Sequence, residues 1–281
     1  MTDADVAEAG EVAWTALLTA IPAEFDTDDP AGPAYRQLRI RHVLETDPGG
    51  AWVATDTSGR IVGMSLALVR EGMWGFSLFG VLPELHGQRI GTRLFDAALA
   101  HGDGTRAGII LSTVSPAAMR RYFRSGFRLL PCVCASGALN SSRIPGGLQA
   151  RPGDPATDVD TIDRASRHVR GASHARDIES MLASGGGLLV IEGSGFAVQK
   201  DGSPWLLAAT DEGTATDLLW SCFAAAKPGT TVRIDFVSAG NDWALDVALT
   251  AGLTLTADEG PIFVRGDIGP LVPYLPSGAY L

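Results

Sequence analysis

The feature that most constrains this chain is that it repeats itself. Ser115, Ala118, Tyr122, Gly126 and Phe127 recur as Asn241, Ala244, Ala248, Gly252 and Leu253, each 126 residues further on. Part of that pattern is ordinary helix punctuation: Ser or Asn at the N-cap, glycine at C′, and an apolar residue behind it. Two helices of equal length could share it by coincidence. The segments leading up to them also correspond, and duplication is the better reading. A chain of 281 residues is long for one domain and comfortable for two of about 140 each.

In the first copy, Thr2 to Leu18 has helical spacing of apolar residues. Ala51 to Thr55 reads as a strand, D-T-S-G at Asp56 to Gly59 as a hairpin turn, and Ile61 to Val69 and Met73 to Val81 as two further strands. A helix over Thr92 to Ala100, a buried strand over Gly108 to Val114, a helix over Pro116 to Ser125 and strand again over Phe127 to Ala138 follow. Asn140 to Pro155 is rich in Pro, Gly and Ser and reads as a connection, with one strand at Leu148 to Arg151. The plan then recurs: helix Asp158 to Val169, strands Gly187 to Ile191, Phe196 to Lys200 and Trp205 to Ala209, helix Ala215 to Ala226, strand Thr231 to Val237, helix Asp242 to Ala251. Each copy predicts an α/β or α+β layer with one mixed sheet flanked by helices. The expected partition is a domain at 1–139, a linker at 140–147 and a second domain at 148–281.

Between the strand ending at Val81 and the helix at Thr92 lies L-P-E-L-H-G-Q-R-I-G, carrying Gly87 and Gly91. A strand, a glycine-bearing loop and a helix N-terminus gather several backbone N–H groups in one small volume, which is how proteins hold a pyrophosphate. An ordinary strand-to-helix turn would read the same from these residues alone.

No run approaches the roughly 18 to 20 apolar residues of a membrane span. The acidic N-terminal stretch M-T-D-A-D-V-A-E lacks the basic and apolar regions of a secretory signal. Cys132, Cys134 and Cys222 offer no disulfide framework, and C-V-C without nearby histidines is poor zinc spacing, so no metal is expected. The thiols read as reduced residues of a cytoplasmic protein. A formal net charge of −10 argues against nucleic acid, which needs a basic stripe. It favours cationic substrates only through long-range steering, and acidic surfaces also simply keep proteins soluble.

Taken together, the loop and the repeated helix resemble the GCN5-related N-acetyltransferase (GNAT) superfamily, with two such domains in tandem. The family's Gln/Arg-x-x-Gly-x-Gly/Ala loop falls on His86, Gly87, Gln88, Arg89, Ile90 and Gly91, after V-x-P at Val81 to Pro83. Its Asn-x-x-Ala-x-x-x-Tyr-x-x-x-Gly-Phe pattern falls on Ser115, Ala118, Tyr122, Gly126 and Phe127. Two positions depart from the pattern: His86 replaces Gln or Arg, and Arg89 replaces the first glycine. A left-handed backbone at Arg89 would cost about 1 kcal/mol or more.

The resemblance implies mostly antiparallel sheets and direct transfer of an acetyl group from acetyl-CoA to a primary amine of a small substrate. It implies that Gln88 to Thr92 hold the pyrophosphate, and that Ser115 and Ala118 share the cofactor-facing side of their helix with Tyr122. A backbone N–H near Val81 or Leu82 would polarise the thioester, and Tyr122 would protonate the departing thiolate. No base is identifiable. Glu45, Asp47, Glu71 and Glu84 are candidates by proximity in sequence, and a water chain serves equally. In the second copy the loop reads T-D-E-G-T-A-T-D-L-L, with Asp211, Glu212 and Asp217 where phosphate would sit, and Ala248 replaces the acid. That copy is expected not to catalyse, and either to cover the cleft or to stiffen the first sheet. The apolar tail Pro273 to Leu281 is expected to be a surface strap, or else to insert between the domains and offer a carboxylate to the amine. A non-catalytic acyl-CoA sensor, or a transferase of a bulkier acyl group, is the alternative function; either a monomer or a homodimer is compatible with fused domains.

Overall fold

The computed structural model describes residues 1–19, 32–257 and 260–281. α1 (Val6–Leu18) buries Val6, Ala9, Val12 and Ala13, one stripe of a 3.6-residue period. α2 (Gly32–Thr46) has no comparable stripe in the sequence, because its inward positions include Arg39 and His42 beside the buried Ile40 and Val43. Three antiparallel strands follow, β1 (Ala51–Thr55), β2 (Ile61–Arg70) and β3 (Met73–Val81). α3 (Ile90–Ala100) starts two residues earlier than expected and returns the chain to β4 (Ala107–Leu111), which runs parallel to β3. After α4 (Pro116–Arg124), the expected continuous strand is two strands, β5 (Arg128–Leu130) and β6 (Cys132–Ala138). Pro131, which has no N–H to give to a ladder, separates them.

The second half repeats this order. A short β7 (Arg151–Pro152) precedes α5 (Val159–Arg170) and α6 (Ala175–Ala183). β8 (Gly187–Ile191), β9 (Gly195–Lys200) and β10 (Ser203–Ala209) form the meander. Next come α7 (Glu212–Ala224), β11 (Thr231–Ser238), α8 (Asp242–Thr250), β12 (Thr254–Thr256), β13 (Ile262–Gly266) and β14 (Tyr274–Leu275). The repeated helices end alike: Gly126 and Gly252 take φ of +85° and +90°. The following N–H groups of Phe127 and Leu253 bond back to the carbonyls of Tyr122 (3.2 Å) and Ala248 (2.9 Å), as glycine-terminated helices do.

The strands form three sheets, ordered β1-β2-β3-β4-β13-β5, β14-β10-β9-β8-β7 and β11-β6-β12. The sheets therefore do not follow the partition at 139 and 148. β13, late in the chain, lies antiparallel between β4 and β5 of the first half. β6, from the first half, lies between β11 and β12 of the second. The exchange carries Phe263 into the first half's aromatic core beside Trp74, Phe76, Phe95, Tyr122 and Phe127. A buried polar network also joins the halves: Arg70 bonds Asp47 at 2.6 Å and Asp177 of α6 at 2.6 Å, and His42 reaches Asp177 at 2.8 Å. Asp177 and Arg70 are almost fully inaccessible.

The outer edge of the first sheet is β1, where the Met1 amino group donates to the Ala51 carbonyl at 3.2 Å. No helix of the described residues is long and apolar enough to cross a membrane. The three cysteines are buried and form no disulfide.

Candidate active site

β3 and β4 separate part-way along their length. Their parallel register runs from Met73↔Ala107 to Phe76↔Ile110 and stops, while β3 continues against β2 to Val81. The register of β2 and β3 shifts at the same place, so Ser77 is an inserted residue facing no partner. A bulge of this kind bends its strand and re-aims the side chains after it. Trp74, Phe76 and Phe79 consequently share one face of the sheet, at centroid separations of 5.6 and 5.4 Å along the row. Gly75, Ser77 and Gly80 face the other way, towards Leu281, Arg39 and Ala16 respectively. The gap opens a cleft of about 950 Å³ that passes between the two faces.

Val81, His86, Gly87, Arg89, Ile90, Gly91, Thr92, Ser115, Ala118 and Tyr122 line this cleft; Gln88 does not. Arg89 precedes α3 with φ +64°, so the left-handed conformation that favours glycine is imposed on an arginine. Its side chain does not cap the helix. Among the described residues no acceptor takes the N–H groups of Ile90, Gly91 and Thr92; the first helical bond is from Arg93 to the Arg89 carbonyl at 3.2 Å. These donors, with the helix dipole behind them, suit an anion. Gly87, at φ +84°, has open space where a Cβ would stand, whereas a Cβ on Gly91 would meet the Phe79 ring at 3.0 Å. His86 folds back, its Nε2 donating to the Val81 carbonyl at 2.9 Å, which ties the loop to the end of β3. Arg121 donates to Thr92 Oγ1 at 2.6 Å and adds a cation at the helix start.

Tyr122 is buried, 4% exposed, and its ring packs on Phe76, Phe95 and Phe263 at 6.1, 5.4 and 5.4 Å. Its hydroxyl makes no hydrogen bond among the described residues, although the side chain borders the cleft. Burial pushes the phenol above its ordinary value, against a smaller opposing effect of Arg121, so it stays protonated in neutral solution. A protonated, unengaged hydroxyl at the wall of a cleft can donate a proton there.

Several sequence expectations change on contact with the geometry. The Leu82 N–H cannot polarise a thioester, because it donates to the Val62 carbonyl at 3.0 Å. Alternation along an antiparallel strand then turns the Val81 N–H to the opposite edge, into the gap. Asp47 and Glu71 are no free bases: Asp47 pairs with Arg70, and Arg167 holds Glu71 at 2.5 Å. Glu45 and Glu84 do not line the cleft, nor does any other described carboxylate. The tail enters between the halves, but Leu281 is fully buried and its oxygen is held by Arg170 (2.7 Å) and Tyr274 (2.8 Å). Gly278, not Leu281, reaches the cleft. The second half contributes Phe236 to its wall.

Among the described residues the second half has no matching gap. β14 pairs with β10 (Leu207↔Leu275, Ala208↔Tyr274) along the edge that β3 leaves open, and Ala209 N–H donates to the Pro273 carbonyl at 3.4 Å. Asp211 caps α7, accepting from Thr214 N–H at 2.9 Å, and Asp217 takes the N–H of Gln149 at 3.0 Å. Ala248 is fully buried.

Comparison with known proteins agrees with this arrangement. The family model of the acetyltransferase (GNAT) domain matches residues 47–129, which hold the loop, the bulged strand and Tyr122. The first half carries a GNAT domain. Similar folds span nearly the whole chain. An acetyltransferase candidate from Pyrococcus horikoshii is 18% identical at a TM-score of 0.77, covering 100% of this chain and 94% of that one. A GCN5-related N-acetyltransferase from Sphaerobacter thermophilus is 17% identical at 0.58, covering 95% and 94%. Another from Kribbella flavida is 16% identical at 0.57, covering 95% and 70%. No curated protein sequence matches. The GNAT domain is thus an acetyltransferase fold whose fifth strand, β13, comes from outside the matched segment.

Sequence reasoning missed Arg39, Arg121, Phe236 and Gly278. One available signal was Arg121, adjacent to Tyr122 in an arginine-rich helix. Phe236 arrives on β11 from more than a hundred residues away through the strand exchange, which leaves no local trace. Gly278 arrives with the tail, whose apolar character was the other signal.

Proposed function

We propose that the protein is an acetyl-CoA-dependent N-acetyltransferase acting on a primary amine of a small substrate, with the first of two GNAT-like halves catalytic. One observation carries the reading: the uncapped start of α3 and the unengaged hydroxyl of Tyr122 open onto the same cleft. Acetyl-CoA would supply the activated acetyl group. The N–H groups of Ile90 to Thr92, with Arg89 and Arg121 nearby, suit its pyrophosphate, and open space at Gly87 leaves room for it. The Val81 N–H is directed at the gap where the thioester carbonyl would lie. The amine nitrogen forms the new N–C bond as the C–S bond breaks; Tyr122 gives its proton to the sulfur, and the amine's proton leaves to water. With no carboxylate among the described residues lining the cleft, solvent is the reading for the base.

A second reading, a non-catalytic acyl-CoA sensor, draws on that same missing base. Calorimetry with acetyl-CoA and a thiol-release assay across an amine panel separate the two. Tight binding with turnover supports the transferase, and binding without turnover of any amine removes it. Buried cysteines without a disulfide and the use of acetyl-CoA fit a cytoplasmic location.

A further inference from the structure

The cleft has two mouths of different character. On the sheet face carrying Phe76 and Phe79 lie the α3 N-terminus, Arg89, Arg121 and Tyr122, the side suited to the acyl donor. On the opposite face, where Ser77 and Gly80 point, the lining comes from Leu17, Arg39, Phe236 and Gly278. An acceptor reaching the thioester through the gap enters here. Two observations limit its chemistry. No Asp or Glu among the described residues lines either mouth, despite a formal net charge of −10 for the whole chain. Among the described residues nothing is therefore placed to recognise a second ammonium group.

The other observation is Arg39 itself. Its Nε donates to Ser77 Oγ at 3.1 Å, and its Nη2 donates to the Ser77 carbonyl, to Ser77 Oγ at 3.0 Å and to the Gly278 carbonyl at 3.2 Å. All of these acceptors are neutral. Among the described residues Nη1, with two N–H groups, has no partner, and no carboxylate pairs with the guanidinium. Burial pulls Arg39 down to about 10, so it remains cationic at neutral pH. A half-buried charge without a counter-charge is costly unless something supplies one. Holding Ser77 and Gly278 alone would need only a neutral amide. The planar guanidinium, fixed by its inner donors with its outer donors open, matches a carboxylate.

We infer, resting on the transferase reading above, that the acceptor is an amino-carboxylate: Arg39 binds its carboxylate, and its apolar part lies against Leu17 and Phe236. Matched acceptors test this in the wild-type protein. L-leucine is compared with 3-methylbutylamine and L-phenylalanine with 2-phenylethylamine, with acetyl-CoA and a thiol-release readout. The expected result is a kcat/KM at least about tenfold higher for the amino acid of each pair, the worth of one charge-assisted hydrogen bond. Arg39→Gln is expected to bring the ratio to within about threefold of one, chiefly through KM. Equal use of both members, or preference for the amine, overturns the assignment and leaves the transferase standing. So does an Arg39→Gln protein that is folded yet keeps the preference. If that variant does not fold, the wild-type ratio alone decides. Acetyl-CoA binding without turnover of any acceptor overturns both readings.

Discussion

Replacing Tyr122 by Phe removes one oxygen, and the surroundings of that oxygen determine what should follow. The ring keeps its contacts with Phe76, Phe95 and Phe263. The hydroxyl gives up no hydrogen bond among the described residues, and it is not enclosed but opens to the cleft, where water can reach it in both states. Stability should therefore change by less than about 1 kcal/mol, a melting shift of roughly 2 to 4 °C at most. Acetyl-CoA affinity should also hold, because the loop and the start of α3 are untouched. Turnover should not. Loss of a positioned acid typically costs 10²- to 10⁴-fold, and a thiol with a pKa near 8.5 is a tolerable leaving group, so the lower figure applies. A hundredfold fall in kcat corresponds to about 2.7 kcal/mol of barrier. Burial raises the Tyr122 phenol above its ordinary value, so its acid form persists through neutral and mildly alkaline pH. The wild-type kcat profile should accordingly show no loss attributable to Tyr122 below about pH 10. Thiol-release kinetics on an amine that the wild type accepts, calorimetry and a thermal melt measure the three quantities. A folded variant with kcat within threefold of wild type refutes the acid role, and a tenfold weaker acetyl-CoA affinity reassigns Tyr122 to binding.

Arg89→Gly relieves a left-handed arginine and should gain about 1 kcal/mol in a thermal melt. If the charge also serves the phosphates, acetyl-CoA binding should weaken several-fold at low salt and by less at high salt; an unchanged salt dependence would remove that role. Arg70→Ala leaves Asp47 and Asp177 buried without their cation and should cost about 3 to 5 kcal/mol in denaturant titrations. In both carboxyls burial acts upwards, but hydrogen bonds and charge from Arg70, with His42 at Asp177, carry them below the usual range. Their contribution to stability is thus complete above the unfolded value of about 3.9 and is lost as the pH falls through the lower folded values. In Arg70→Ala, Asp47 keeps the Thr46 hydroxyl and the Val69 N–H, and Asp177 keeps His42. Both carboxyls then sit less far below the usual range, and thermal melts from pH 3 to pH 7 should show a shallower acid loss than in the wild type. Asn241→Ala strips partners from Tyr274 N–H (3.0 Å), the Leu271 carbonyl (3.0 Å) and Trp243 Nε1 (3.1 Å), and should cost about 2 to 4 kcal/mol, with earlier proteolysis of the tail.

How far the sequence discloses this molecule depends on how local the cause is. β1 and β3 fall where alternation and hairpin turns place them, because tight turns and apolar runs are short-range signals. The loop before α3 is legible for the same reason. α2 is not, since its inner side carries Arg39 and His42, whose partners Ser77 and Asp177 are distant in sequence. Ser115 and Asn241 occupy N-cap positions, yet neither side chain caps its helix, and Asn241 is given over to the tail. β13 carries no mark that it will cross into the other half. Most residues of the donor side lie in two short segments, His86 to Thr92 and Ser115 to Tyr122, and apart from Arg121 could be named in advance. Those of the opposite mouth are assembled by topology alone.

That division bears on how the two corresponding halves differ at this edge of the sheet. A sheet that splays exposes backbone N–H and C=O groups, and buried backbone groups must find partners. In the first half a bound ligand can answer them, so the gap between β3 and β4 can persist. In the second half the chain answers them itself. β14 lies along β10, the Pro273 carbonyl takes the Ala209 N–H, and Asp211 caps the helix whose counterpart in the first half is left uncapped. Once that edge was closed from within, nothing required a proton donor at Ala248, and a small core residue suffices there. Released from holding a ligand, the same half supplies Phe263 behind Tyr122 and Phe236 at the far mouth. The closed edge of the second half and its service to the first half are therefore linked: β14, which closes that edge, follows directly on β13, which completes the first sheet.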